Sequence, residues 1–187
     1  MRLSGLRVEP TDKSTVVESE KYLEFKVDGK LFAYNINKVA EIMEFPEIES
    51  IPLSPGFLLG AINLRGDVIP IIDLAICLNR VSTPVTAKTC VVISDVDYQG
   101  TVYKVGNKVD IVTRVMDIET VQIDKAPDLA GQLEHRVLVG VAKLDNRLLS
   151  ILNVDSLMTH AQLDWLKESQ FCDEQNLAQL QALGRDV

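Results

Sequence analysis

The stretch Gly60-Ala61-Ile62-Asn63-Leu64-Arg65-Gly66-Asp67-Val68-Ile69-Pro70-Ile71-Ile72-Asp73-Leu74 decides the architecture. It reads as two short apolar strands joined by a tight polar turn at Arg65-Gly66-Asp67. Ile62 and Leu64 on one side, and Val68, Ile69, Ile71 and Ile72 on the other, suit strands buried over most of their surface. Gly60 opens the first strand, Gly66 gives the turn its backbone freedom, and Asp73 is placed to cap a short helix over Leu74-Ala75-Ile76. Asn63 and Arg65 stand apart, because so apolar a hairpin has no structural need of them. A polar pair on a rigid apolar ribbon marks a surface built for contact, not for chemistry.

The pattern occurs twice. Gly140-Val141-Ala142-Lys143-Leu144-Asp145-Asn146-Arg147-Leu148-Leu149-Ser150-Ile151-Leu152-Asn153-Val154 aligns to it without a gap. Both copies have a glycine, an apolar strand, a polar turn, a second apolar strand and a helix-capping Asp or Asn. Upstream, Val39-Ala40-Glu41-Ile42-Met43-Glu44 matches Val112-Thr113-Arg114-Val115-Met116-Asp117. Each half therefore reads as one small barrel of short strands, with repeats near 30–80 and 100–158. Two copies are too few for a solenoid, so a closed pair of subdomains is expected. The copies differ in their polar residues: Asn63, Arg65 and Glu41 face Lys143, Asp145 and Arg114. Those differences are the candidates for specific contact.

Around this repeat, residues 1–20 are polar and aperiodic and read as a flexible tail. Leu23, Phe25 and Val27 alternate with Glu24 and Lys26 before Asp28-Gly29, the favoured two-residue hairpin loop. Residues 37–43 read as a bend or single helical turn, and Pro46, Pro52 and Pro55 punctuate a loop. From Met158 onward Leu163, Leu166, Leu177, Leu180 and Leu183 recur at roughly helical spacing, with Trp165 and Phe171 off the stripe. The reading is a C-terminal helical extension over 160–187 that docks on the barrels or, alternatively, binds a partner.

At 187 residues with 47% hydrophobic content, the chain can bury a substantial core, and at 5% aromatic that core is Val, Ile and Leu. A net charge of −8 disfavours nucleic acid and anionic membrane surfaces, both of which call for cations. Cys77, Cys90 and Cys172 are an odd number without metal or redox spacing, which fits reduced thiols. The start lacks the apolar core of a secretory signal, and no run approaches the ~20 apolar residues of a membrane span. A cytoplasmic protein without direct membrane insertion is expected. Nucleophile-elbow, phosphate-loop and dinucleotide motifs are absent, so no catalytic residue is nominated. His135 and His160 lack a second ligand at suitable spacing, and Asp95 with Asp97 reads as a solvated turn. Neither metal nor cofactor is expected.

The segment from Gly60 to Leu74 closely resembles the signature of the CheW-like domain family, adaptors that join chemoreceptors to the CheA histidine kinase. Tyr22 to Val27 with Asp28-Gly29 and Leu31-Phe32-Ala33-Tyr34 is similar to the family's opening hairpin, and Val39-Ala40-Glu41-Ile42 to its valine-x-glutamate-isoleucine element. Ile51-Pro52 and Pro55 fall at its approach loop. Val105-Gly106, Val109-Asp110, Gly140-Val141-Ala142 and Ile151-Leu152 match its second half. The resemblance covers about 21–159 and implies a mainly β fold of two small intertwined SH3-like barrels with short helices. It also implies a non-enzymatic scaffold in bacterial chemotaxis, recruited to receptor arrays. Its partners would be the cytoplasmic tip of a methyl-accepting chemoreceptor and the CheA regulatory domain. On residues alone, Glu41 and Arg65 fit an ordinary surface ion pair worth about 0–1 kcal/mol. The resemblance instead places them on the receptor-facing surface. With extended backbone, Val39 would share the face of Glu41 and form its apolar centre. Asn63 stays open between orienting Arg65 and contacting the partner. Asn107-Lys108 departs from the family's apolar preference and implies a solvated strand end in the second barrel. The alternatives are an accessory adaptor of another chemosensory or polar-localisation complex, or a small-molecule binding protein or hydrolase, which would need a deep pocket with convergent polar groups.

Overall fold

Strand-forming residues dominate from Tyr22 onward, and in the computed structural model, which describes residues 18–126 and 137–169, they build eleven strands. Strands β1 (Ser19–Val27) and β2 (Lys30–Asn35) form the opening hairpin, with Val27 paired to Lys30 across Asp28-Gly29. A 3-10 turn, Ile36–Lys38, leads into β3 (Val39–Glu44), so the expected bend is one turn followed by a strand. The hairpin read from sequence is β4 (Leu58–Leu64) and β5 (Asp67–Asp73), running into α1 (Leu74–Cys77). Then come β6 (Cys90–Tyr98), β7 (Thr101–Val109), β8 (Ile111–Glu119) and β9 (Ile123–Lys125). The second copy of the hairpin is β10 (Leu138–Leu144) with β11 (Arg147–Leu152), and α2 (His160–Glu168) follows. Leu163 and Leu166 of α2 are buried, whereas Phe171, Leu177, Leu180 and Leu183 lie outside the described residues.

The strands make two curled sheets, ordered β3-β6-β7-β5-β4 and β8-β1-β2-β11-β10-β9, which are the two small barrels. Five strands match in order, and β9 of the second has as its counterpart in the first only the single bridge of Glu49 to Ala61. Ile71 of β5 pairs in parallel with Gly106 of β7, and Ile151 of β11 pairs in parallel with Ala33 of β2. The contiguous halves drawn at 30–80 and 100–158 are corrected by this pairing. The first barrel is one continuous run from β3 to β7. The second assembles β8–β11 with the opening hairpin, so its strands come from both ends of the described chain.

Gly60 and Gly140 explain why each hairpin begins as it does. A Cβ on Gly60 would meet the Glu49 carbonyl and lie 2.7 Å from Ile48 Cγ2. On Gly140 it would lie 2.6 Å from the Asp124 carbonyl oxygen and 2.8 Å from Ile123 Cγ2. In each barrel a crossing segment is laid on the hairpin where only hydrogen fits. Both hairpins also carry a bulge here, skipping Leu59 and Val139.

Burial falls into three clusters. Ile62, Ile69, Ile71, Val91 and Ile93 fill the first barrel. Tyr22, Ala33, Ile118, Ala142, Leu149 and Ile151 fill the second. Between them lies a shared core, to which the second barrel gives Leu23, Phe25, Val27 and Tyr34 and the first gives Ile72, Val92, Val96 and Val105. Phe25 and Tyr34 meet edge to face there, 4.7 Å between centroids. Burial at Ile71 is complete, so Ile71→Ala should cost about 2–5 kcal/mol in denaturant unfolding. Gly60→Ala should destabilise more than Gly140→Ala in the same assay, because Gly60 also has φ +148°, which disfavours any side chain. Equal costs for the two would show that neither the tighter approach nor the backbone conformation at Gly60 adds to the penalty.

Candidate functional site: a charged hairpin tip

Arg65 sits at the β4–β5 turn with φ 54° and Gly66 follows at φ 96°, a two-residue turn with both centres left-handed. The Asn63 side-chain oxygen accepts from the Gly66 amide at 3.0 Å, bracing that turn. Asn63 is therefore a turn-holding residue in this structure. Arg65 reaches across to Glu41 in β3, with Nη1 3.0 Å from Oε2 and Nη2 3.2 Å from Oε1. Two parallel contacts between planar groups fix orientation as well as distance. Because β3 and β4 are opposite edges of their sheet, the pair also ties the barrel shut at its rim. The Arg65 side chain is 76% exposed, against 28% for Glu41, so solvent screens the pair and its worth stays within about 1 kcal/mol.

Val39 does not share that face. It pairs with Ser94 while Glu41 pairs with Ile93, so a bulge at Ala40 turns the strand over between them. Glu41 lies on the side of Ile93 and Val91, the first barrel's interior, and Val39 packs half-buried against the shared core. The expectation of a joint face assumed unbroken extended backbone, and the bulge overturns it.

The second barrel carries the counterpart with its charges exchanged. Arg114 pairs with Glu24 through the same bulge, here at Thr113. Glu24 is 2% exposed, accepts from Thr113 Oγ1 at 2.7 Å, and lies 2.6 Å from Arg147 Nη1 and 3.5 Å from Arg114 Nε. The Arg147 contact is an ion pair by distance without the alignment of a hydrogen bond. Strand alternation placed Glu24 outward with Lys26, and so missed it. Its signal was the repeat itself, which sets Arg147 opposite Asp67 and Arg114 opposite Glu41.

Asn107 and Lys108 belong to β7 of the first barrel and are 1% and 4% exposed, which corrects the solvated-end reading. The Asn107 amide donates to the Val92 carbonyl and to Ser94 Oγ, and Lys108 pairs with Asp73 at 3.2 Å. Asp95 and Asp97 are strand residues of β6, not a turn, and Asp97 Oδ1 braces the β6–β7 turn through the Gly100 amide. Asp73 caps α1 as expected, accepting from Ala75. Burial, aided by the charge of Asp73, pushes the Cys77 thiol up to about 12 and leaves it a weak nucleophile at neutral pH.

A groove of about 760 Å³ opens between the barrels, lined by Phe32, Ile76, Leu78, Leu157 and Met158. Its charged wall groups are already engaged, Arg80 with Asp28 and Asp155 with Lys38. Among the described residues no three His, Cys, Asp or Glu gather as a metal site, and no helix is long and apolar enough to cross a membrane.

Two barrels, exchanged strands and a paired hairpin tip define a small β scaffold, and comparison with known proteins gives its class. A family model described as the CheW-like domain matches residues 21–162. A Rhizobium etli protein called probable chemotaxis protein CheW is 29% identical over 150 residues, covering 80% of this chain and 94% of that protein. The chemotaxis protein CheW of Bacillus subtilis is 30% identical over 139 residues, covering 74% and 86%. The crystal structure of the scaffolding protein TtCheW from Thermoanaerobacter tengcongensis superposes with a TM-score of 0.67 at 27% identity, covering 78% of this chain and 91% of that one. The chain belongs to the CheW-like domain family.

Arg65→Ala should move the thermal midpoint by no more than an exposed ion pair allows, under about 1 kcal/mol. Val39→Ala, which opens space against the shared core, should lower it clearly. A larger loss at Arg65 than at Val39 in calorimetry would make the arginine a structural residue.

Proposed function

We propose that this chain is a chemotaxis adaptor in the cytoplasm that couples a chemoreceptor's cytoplasmic tip to the regulatory domain of CheA. Membership of the CheW-like family and the names carried by its relatives support that reading. The observation that carries it furthest is the Glu41–Arg65 pair. It is made through two contacts at an exposed tip, and its arginine contributes little to the fold. The pair, with Asn63 holding the turn beneath it, forms part of the receptor-facing surface. Val39 supports that surface from the core side. The mechanism is coupling: a receptor conformation that binds the assembled adaptor and kinase better shifts the kinase's active population by that difference in affinity.

Four proteins test the surface: the native chain, Glu41→Arg, Arg65→Glu and the double exchange. Each is titrated with a receptor-tip fragment. Arg65→Glu should weaken binding at least tenfold, mainly through faster dissociation. Since Arg65 is mostly exposed, a partner reads its charge directly, and the double exchange should stay weak although the internal pair is restored. Recovery in the double variant would confine the pair to an internal role. Equal affinity for all four would remove this tip from the receptor-facing surface.

A further inference from the structure

Residues 78–89, between α1 and β6, are without strand or helix, yet their side chains are tied down at both ends. One end is anchored inside the first barrel. The Lys108 ammonium donates to Asp73 Oδ2 at 3.2 Å, to Ser82 Oγ at 3.4 Å and to the Thr83 carbonyl. Ser82 Oγ donates to the same Asp73 oxygen. An ammonium has three protons, and here each has an acceptor only while Ser82 and Thr83 lie in place. A buried charge left without partners is costly, so Lys108 fixes the loop as firmly as the loop satisfies Lys108.

The other end crosses to the second barrel. Thr83 Oγ1 donates to Asp110, the single residue between β7 of the first barrel and β8 of the second. The other Asp110 oxygen accepts from the Asp28 amide at 2.7 Å, and the Asp110 amide donates to the Lys26 carbonyl at 2.9 Å. Arg80 Nε donates to Asp28 Oδ2 at 3.0 Å, and its Nη2 lies 2.9 Å from the same oxygen. Asp28 is the turn of the opening hairpin.

We infer that the loop from Arg80 to Thr83 is a strap, anchored by the buried Lys108–Asp73 pair, that holds the second barrel at one angle to the first. The shared apolar core holds the barrels together, but apolar attraction is not directional. Hydrogen bonds of fixed length and line are. The strap supplies them on the Asp28 side, as the Asp97 amide to Asp155 Oδ1 at 2.7 Å and Tyr98 Oη to Asp164 Oδ1 at 2.8 Å do elsewhere. Lys108 and Asp73 are positioning residues here, acting on Asp28 through the loop.

Residual dipolar couplings measured on the full chain read the angle directly. In the native protein, couplings from both barrels should fit one alignment tensor. In Arg80→Gln with Thr83→Val, which cuts the loop's own contacts to Asp28 and Asp110 and leaves both barrel interiors intact, each barrel should fit its own coordinates but need a separate tensor. The pair Lys108→Met with Asp73→Asn, which keeps a side-chain oxygen to cap α1, should give the same separation although Arg80, Thr83 and Asp28 are untouched. A single tensor in the first variant, or two in the native chain, overturns the strap. Separation in the first variant but not in the second overturns the buried pair as its anchor.

Discussion

Each central strand of this fold has to satisfy two cores at once. Because the sheets are small and curl, a strand turns one face into its own barrel and the other into the core between barrels. In β1, Tyr22 points into the second barrel while Leu23, Phe25 and Val27 line the shared core. In β6, Val91 and Ile93 fill the first barrel while Val92 and Val96 line the shared core. This is why the sequence is dense in Val, Ile and Leu without the clean polar alternation of a one-sided sheet. It also limits where polarity can sit: at turns, at rims, or inside with every group partnered.

The duplicated rims show what divergence did within that limit. Equivalent positions keep the bulge, the turn and the strand pairing, and exchange the charge: Glu41 stands where Arg114 does, and Arg65 where Asp145 does. In the first barrel the carboxylate is on the edge strand and the guanidinium on the tip. In the second, the carboxylate is Glu24, one strand further in, where the first has Ile93, and it holds two arginines. The skeletons are the same, and the two ends present different electrostatic faces.

What was legible in the sequence was local. The two hairpins, their turns, the caps at Asp73 and Asn153 and the doubling of the pattern depend on residues close in sequence, and the side-chain oxygens do accept from Ala75 and Asp155. The Glu41–Arg65 pair could be nominated because resemblance supplied a reason to join residues 24 positions apart. What failed was non-local. The bulge at Ala40 exists only in relation to β6, so nothing near Val39 announces that the strand turns over. Burial of Lys108 depends on Asp73, Ser82 and Thr83, all far from it in sequence, so an ammonium in an apolar run looked like a strand end meeting water. The division into halves failed for the same reason, since the partner of β2 is β11.

That last pairing governs the order in which the protein can be made. During synthesis the first barrel has all its strands once Val109 has left the ribosome. The opening hairpin emerges earlier still, yet its partners β8 and β11 are both translated after the whole of the first barrel. Phe25 and Tyr34 must therefore wait, partly uncovered, through translation of an entire domain. Val92, Val96 and Val105 of the first barrel, which share their core in the finished fold, are all translated before β8. Closing the second barrel pairs β2 with β11 at high sequence separation, which loop-closure entropy makes slow. The strand set of the first barrel is thus complete in the chain well before that of the second.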